Sequence, residues 1–279
     1  MLQTQKKWLK YAINDLQEMR RSNGKTTYLV SFPKCGRTWL CFMLSEMIIK
    51  AYNLESEKTT VFVDQLTKKY PSLPPIIPTH EDSYLIDERA NQNDAEKLFI
   101  YGGRLKYLNN RVILLVRDPR DVVVSHYYQI TKRVKNCSIQ INSLTEFVRH
   151  PLYGFERIIR FYQIWNRYRW IHKHLLLIRY EDLVRKGVET LQKVIDFTKL
   201  KSIDEDLIRN VYQISEADNM RKMELQGQID GMNFLDVDRN SLKVRNAKIG
   251  SYLKELSGED IDYCNALMEK LPRRYGYSH

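Results

Sequence analysis

Two short stretches of this chain carry the residue types that anion chemistry needs. At 32–39 the residues FPKCGRTW place one glycine, Gly36, after Lys34 and Cys35 and before Arg37, Thr38 and Trp39. Glycine lets the backbone approach an anion closely, the N–H groups that follow can converge on it, and the lysine adds a mobile ammonium. This is a P-loop-like phosphate-binding turn. It is not the G-x-x-x-x-G-K-[ST] loop of triphosphate-binding enzymes, because the lysine precedes the only glycine. At 117–125, RDPRDVVVS supplies Arg117 and Ser125, and a guanidinium fork with a hydroxyl suits a dianionic group better than a lone lysine does. A third candidate is His80, in PTH at 78–80. A neutral imidazole suits general-base work near pH 7, although histidine among proline and threonine is also ordinary turn chemistry.

These residues need elements to hold them, and the hydrophobic pattern supplies candidates. Tyr28 to Phe32, Val112 to Val116 and Leu175 to Ile178 are short apolar runs that read as buried parallel strands. Each ends in a polar turn and then a helical pattern, which is the grammar of an α/β fold: a central, mostly parallel sheet flanked by helices. In such sheets ligands bind at the carboxyl ends of the strands, where helix N-termini present free N–H groups. The aromatic-rich run from Phe155 to His172 reads as a core helix. Ser257, three residues before Asp260, reads as a helix cap opening a helix to about Leu271. Residues 1–24 read as an amphipathic helix, and 226–241, rich in Gly, Asp and Asn, as a mobile loop. Asp118, Asp121, Glu181 and Asp182 read as braces of the turns.

Composition narrows the class. The chain has 279 residues, and 45 Lys and Arg against 34 Asp and Glu leave a formal charge of +11. With 43% hydrophobic residues and only 11 Gly and 8 Pro, disordered and fibrous classes are excluded and a single domain over 1–279 is expected. No apolar run approaches the ~20 residues that cross a bilayer, and the start carries no export signal. Four cysteines without a C-x-x-C pair argue against zinc and disulfides, so a cytoplasmic location with no membrane association is expected. The positive charge points to an anionic partner. A basic nucleic-acid-binding protein is one alternative, but clusters such as Lys132, Arg133 and Lys135 read as solvated surface, and no nucleic-acid partner is expected. A P-loop phosphotransferase is the other; its lysine and metal-holding hydroxyl are not in place.

The two motifs, in this order and separation, resemble those of the sulfotransferases that use 3′-phosphoadenosine 5′-phosphosulfate (PAPS). FPKCGRTW resembles their 5′-phosphosulfate loop and RDPRDVVVS their 3′-phosphate motif, with PTH at 78–80, RYEDL at 179–183 and VRNAKIG at 244–250 as weaker matches. The resemblance implies transfer of a sulfuryl group from PAPS to a hydroxyl or amine of a small-molecule acceptor, leaving 3′-phosphoadenosine 5′-phosphate (PAP), with no metal. It implies Lys34 and His80 as catalytic lysine and base. It implies contacts to the nucleotide from Lys34, Cys35, Gly36, Arg37, Thr38, Trp39, Arg117, Ser125, Tyr180, Arg245, Asn246 and Ala247.

The chain also departs from that pattern. Cys35 replaces a serine, Arg37 stands where threonine is common, and Arg245-Asn246-Ala247 replaces R-K-G, with Lys248 as a substitute cation. Cys35 reads as a small neutral loop residue rather than a reactive thiol. From Glu81 to Glu96 six acids face one base, Arg89. That stretch is either a solvated face or the border of a pocket for a cationic or polyhydroxylated acceptor.

Overall fold

In chain order the computed structural model runs β1 (Thr27–Ser31), α1 (Arg37–Ala51), β2 (Thr59–Thr60), α2 (Val63–Lys69), β3 (Ile76–Thr79), β4 (Arg111–Val116), α3 (Pro119–Tyr128), α4 (Leu144–Val148) and α5 (Phe155–Arg167). It continues with β5 (His174–Arg179), α6 (Tyr180–Arg185), α7 (Gly187–Thr198), α8 (Glu205–Ile214), α9 (Ala217–Leu225), β6 (Ile229–Asp230), α10 (Tyr252–Glu255) and α11 (Gly258–Met268). The structure describes residues 13, 16–22, 24–55, 59–80, 105–133, 141–167, 169–232, 242–244 and 248–277.

The three apolar runs, joined by β3, form a four-stranded parallel sheet in the order β3-β1-β4-β5. Leu29, Val30 and every residue from Val112 to Val116 are fully buried. Helices cover both faces of such a sheet, which is why its inner strands read as unbroken hydrophobic runs. α1 is buried almost all round, from Leu40 to Ile48, and is a core helix rather than an amphipathic one. α5 buries Phe155, Ile158, Ile159, Phe161, Tyr162 and Trp165, so the aromatic run is core packing, as its spacing indicates. It ends at Arg167, and Arg169–Ile171 follows as a separate 3₁₀ turn.

β3 was not among the sequence-derived strands. It is four residues long, follows Pro74 and Pro75 and contains Pro78, a composition tolerated only at a sheet edge, where one side of the backbone needs no partner. β3 is that edge. At its end it delivers His80 to the carboxyl side of the sheet.

The chain leaves β1, returns to the sheet as β3 on one flank, and then crosses to β4 on the other. The connections after β1 and β4 therefore diverge, and a crevice opens between their carboxyl ends. Asp118 accepts a hydrogen bond from the N–H of Arg120 and caps α3. Ser257 caps α11 through the N–H of Asp260, which confirms the cap, although the α-helix stops at Met268. Part of the N-terminal stretch is helical, at 16–22, and Tyr28 Oη donates to Glu18 at 2.5 Å. The stretch from 226 begins with a paired strand: Ile229 and Asp230 lie beside Thr59 and Thr60. Residues 233–241 lie outside the described residues.

Candidate active site

The first N–H groups of any α-helix lack intrahelical partners. α3, α4, α8 and α11 satisfy theirs with Asp118, Ser143, Asp204 and Ser257, a device worth ~1 kcal/mol each. α1 does not. Gly36 sits at its N-cap with φ 94°, no side chain caps it and its first turn holds no acid. That end is left open to an anion, with about half a positive charge of helix dipole behind it. Lys34, just before it, has φ 73°, a left-handed conformation that costs a non-glycine residue of order 1 kcal/mol.

Three residues lock this turn to the other motif. A Cβ on Gly36 would lie 2.6 Å from Cδ2 of Tyr180, so only glycine lets the ring reach the turn. The Arg117 guanidinium stacks on the same ring, 4.4 Å from its centroid. Arg117 Nη1 donates to the Lys34 carbonyl at 3.4 Å and Nη2 to the Lys248 carbonyl at 3.1 Å. Its Nε is buried without a hydrogen-bond partner, a donor that a bound anion can satisfy. Asp121, buried beneath, lies 3.6 Å from the guanidinium and accepts hydrogen bonds from Gly250 N, Ser251 Oγ and Tyr252 N. Glu181 accepts from Asp118 N and Tyr277 Oη. Asp118, Asp121 and Glu181 are braces, as their positions in the motifs suggest.

The aromatic wall is wider than the sequence indicated. Trp39 packs against Tyr180 and Tyr212 with centroids 5.9 and 6.0 Å apart, and its Nε1 donates to the Ser215 carbonyl at 2.8 Å. Tyr212 is held by hydrogen bonds from its hydroxyl to the carbonyls of Leu183 and Val184. It also depends on Gly187, where a Cβ would fall 1.9 Å from the Tyr212 ring. Gly187→Ala is therefore expected to displace Tyr212 and cost ~1–3 kcal/mol by overpacking; thermal melting checks it.

On the other side of the crevice His80 Nδ1 lies 2.8 Å from the Ser31 carbonyl. A carbonyl only accepts, so Nδ1 carries the proton and Nε2 the lone pair. Burial, with the charges of Arg37 and Lys34 and the His126 ring nearby, pushes the imidazole down to about 3. Burial and the Lys34 ammonium push His126 down to about 4. Both imidazoles are neutral near pH 7. Lys34 Nζ donates to Gln129 Oε1 at 3.2 Å.

Lys34, Gly36, Arg37, Thr38, Trp39, His80, Arg117, Ser125 and Tyr180 line one cavity of about 550 Å³. Cys35 does not. Its side chain is fully buried, Sγ lies 3.5 Å from Tyr162 Oη, and burial raises the thiol to about 12. Of Cys35, only the backbone faces the turn. Arg245, Asn246, Ala247 and the acidic stretch 81–96 lie outside the described residues, while Lys243 and Val244 line the cavity. Lys248 takes part through its carbonyl.

Sequence reasoning missed Tyr212, then Ser215, Glu216, Ala217 and Met220 around the α8–α9 junction, and His126, Gln129, Tyr153 and Arg157, all of which line the cavity. The one available signal was Arg157, a charge on the apolar face of α5. Among the described residues no cluster of three or more His, Cys, Asp or Glu is placed to hold a metal ion. No helix among them is long and apolar enough to cross a membrane.

Comparison with known proteins agrees with this geometry. A sulfotransferase domain profile matches residues 25–276. The chain is 25% identical to Sulfotransferase 2A6 of Rattus norvegicus over 228 residues, covering 74% of this chain and 73% of that protein. It is 20% identical to Flavonol 4′-sulfotransferase of Flaveria chlorifolia over 275 residues, covering 91% and 81%. Its fold matches that of retinol dehydratase in complex with androsterone and the inactive cofactor PAP, with a TM-score of 0.61 and 14% identity over 88% of this chain and 80% of that one. With an anion-binding turn and an aromatic wall at the switch point of a parallel sheet, and with the family profile matched across nearly its whole length, this chain belongs to the sulfotransferase domain family and is a sulfotransferase.

Proposed function

We propose that the cavity holds PAPS between the turn at Gly36 and the guanidinium of Arg117, and that the sulfuryl group passes to a hydroxyl of a small-molecule acceptor. The observation that carries this reading is that Gly36 and Arg117 meet on one ring, that of Tyr180. The open N-terminus of α1 and the unpartnered Arg117 Nε suit the two phosphate ends of such a donor. When bound, it supplies an activated sulfuryl group.

The chain's own residues do the rest. The N–H groups of Arg37, Thr38 and Trp39 receive the 5′ end, and Arg117 and Ser125 receive the 3′-phosphate. Trp39, Tyr180 and Tyr212 flank the base. Lys34 donates a hydrogen bond to the oxygen that gains negative charge as the donor's bond to sulfur breaks. His80 accepts the proton of the acceptor hydroxyl at Nε2, its Nδ1 proton held by Ser31.

The acceptor wall offers His126, Gln129, Tyr153 and Arg157. Of the two acceptor characters suggested by the acidic stretch, these polar groups support a polyhydroxylated molecule. Three buried free thiols, Cys35, Cys41 and Cys264, support a reducing, cytoplasmic setting.

A thermal-shift panel tests the reading. PAP at ~100 times its dissociation constant should stabilise the protein by ~2.7 kcal/mol, whereas ATP with Mg²⁺ and an oligonucleotide should not. A shift with ATP and Mg²⁺ alone would favour a phosphotransferase. Because side chains supply the positive charge, turnover of PAPS is expected to proceed without added metal and to survive EDTA; loss restored by Mg²⁺ would contradict this.

Arg117→Ala should raise the dissociation constant of PAP by about 10- to 100-fold, since hydrogen bonds to a charged group contribute ~1.5–3 kcal/mol. Asp121 keeps its three other donors, so the fold should survive. Calorimetry with PAP reads the loss directly.

A further inference from the structure

α3 does not stop at Tyr128; it runs on into a π turn over Gln129–Arg133, a widened turn that redirects side chains and recurs at functional sites. Ser125 and Gln129 stand four residues apart and so share a helix face, and both line the cavity. Ser125 belongs to the nucleotide motif. Gln129 falls beyond it, where it binds Lys34 Nζ at 3.2 Å. Lys34 and His80 line the same cavity as Gln129, so the Gln129 amide, bonded to Lys34, stands among the groups that the proposed function places around the transferred sulfuryl group.

An ammonium has three donors and no acceptor. Gln129 must therefore present its oxygen to Lys34, which removes the usual ambiguity of amide orientation. The NH₂ half is left for the occupant of the cavity, and among the described residues it gains no hydrogen bond. Phe32, His80, His126, Tyr153 and Arg157 line the same cavity, and its one carboxylate among the described residues is Glu216, beside Ser215, whose carbonyl accepts from Trp39. From the sulfuryl-contacting ammonium to a group bound by that NH₂ is at most two hydrogen-bond lengths plus the span of the amide, roughly 8 Å. That reach suits a substituent close to the reacting hydroxyl rather than a distant one.

We infer that Gln129 is a specificity-determining residue: its NH₂ donates to an oxygen that the acceptor carries beside the hydroxyl to be sulfated. The inference rests on the sulfotransferase reading above. An acceptor lacking that oxygen leaves the amide desolvated and unpaired, and sites built to hydrogen-bond a substrate group discriminate against analogues without it. Lys34 fixes the polarity of the amide, so its charge also sets which acceptors the wall favours.

The test uses labelled PAPS and three probes: cyclohexanol, 2-methoxycyclohexanol and 2-aminocyclohexanol. The wild-type enzyme should prefer the methoxy alcohol to cyclohexanol by roughly tenfold or more in kcat/KM, chiefly through KM. Gln129→Leu should bring that ratio close to one. Gln129→Glu, which offers only acceptor oxygens, should shift the preference toward the amino alcohol. PAP affinity, measured by calorimetry, should stay near wild type in Gln129→Leu, which verifies its fold and isolates the acceptor side. Wild-type rates that ignore the methoxy group, a preference that survives in Gln129→Leu, or no turnover of any probe by an enzyme that binds PAP would overturn the inference alone. Failure of the wild-type chain to bind PAP would overturn the underlying reading and this inference with it.

Discussion

Lys34→Ala is expected to lower kcat for sulfuryl transfer by roughly 10²- to 10³-fold, the range for removing one donor aimed at a developing negative charge. The side chain donates to Gln129 at 3.2 Å, while the backbone of the turn is held by other groups. The Lys34 carbonyl accepts from Arg117, and Gly36 packs on Tyr180. The variant should therefore fold and bind PAP, with the loss concentrated in the chemical step. Its left-handed backbone at φ 73° is as strained with alanine as with lysine, so a melting temperature near wild type is expected. Single-turnover measurement with labelled PAPS, beside calorimetry with PAP, separates the two quantities. A rate within a few-fold of wild type would take Lys34 out of catalysis.

His80→Ala is expected to lower turnover by roughly 10²- to 10⁴-fold, the usual contribution of a positioned general base. The pH dependence gives a sharper readout. Burial, Arg37 and Lys34 hold the imidazole at about 3 instead of 6.5, so protonation of His80 should not reduce the rate between pH 8 and pH 5. A rate that halves near pH 6.5 would mean that the catalytic imidazole is not held in this environment.

Stability should respond with the opposite emphasis. Once unfolded, His80 and His126 bind protons with ordinary affinity, whereas the folded protein holds them neutral down to about 3 and about 4. The unfolded state therefore binds more protons below pH 6.5, and stability falls as the pH drops through that value toward 4. His80→Ala should flatten part of that slope. Urea unfolding at a series of pH values measures it.

Tyr180 explains why the two motifs act as one site. It opens α6 at the end of β5, yet it touches the turn after β1 and the arginine after β4. Neighbouring parallel strands bring these three chain segments to one end of the sheet in matched register, Ser31 beside Leu115 and Leu115 beside Ile178. The register of a parallel sheet thus sets the spacing of the site.

What the amino-acid order determined by itself was local. Unbroken apolar runs specify strands, Gly36 after Lys34 specifies an open helix start, and Arg117 with Ser125 supplies a guanidinium and a hydroxyl of the kind that suits an anion. Each of these features depends on residues close along the chain; the strands and the open helix start appear where expected, with Leu175 to Leu177 only half-buried in the edge strand β5. Tertiary packing decided the rest. Cys35 turned inward to Tyr162 because the turn's direction depends on its fit against α5. Tyr212 reached the aromatic wall of the cavity only because Gly187 makes room for it across a helix–helix contact. β3 became a strand because the sheet edge tolerates prolines that a central position would reject. His126 and Gln129 became part of the cavity because helical periodicity states which residues share a face, while only the packing of α3 against its neighbours states what that face meets.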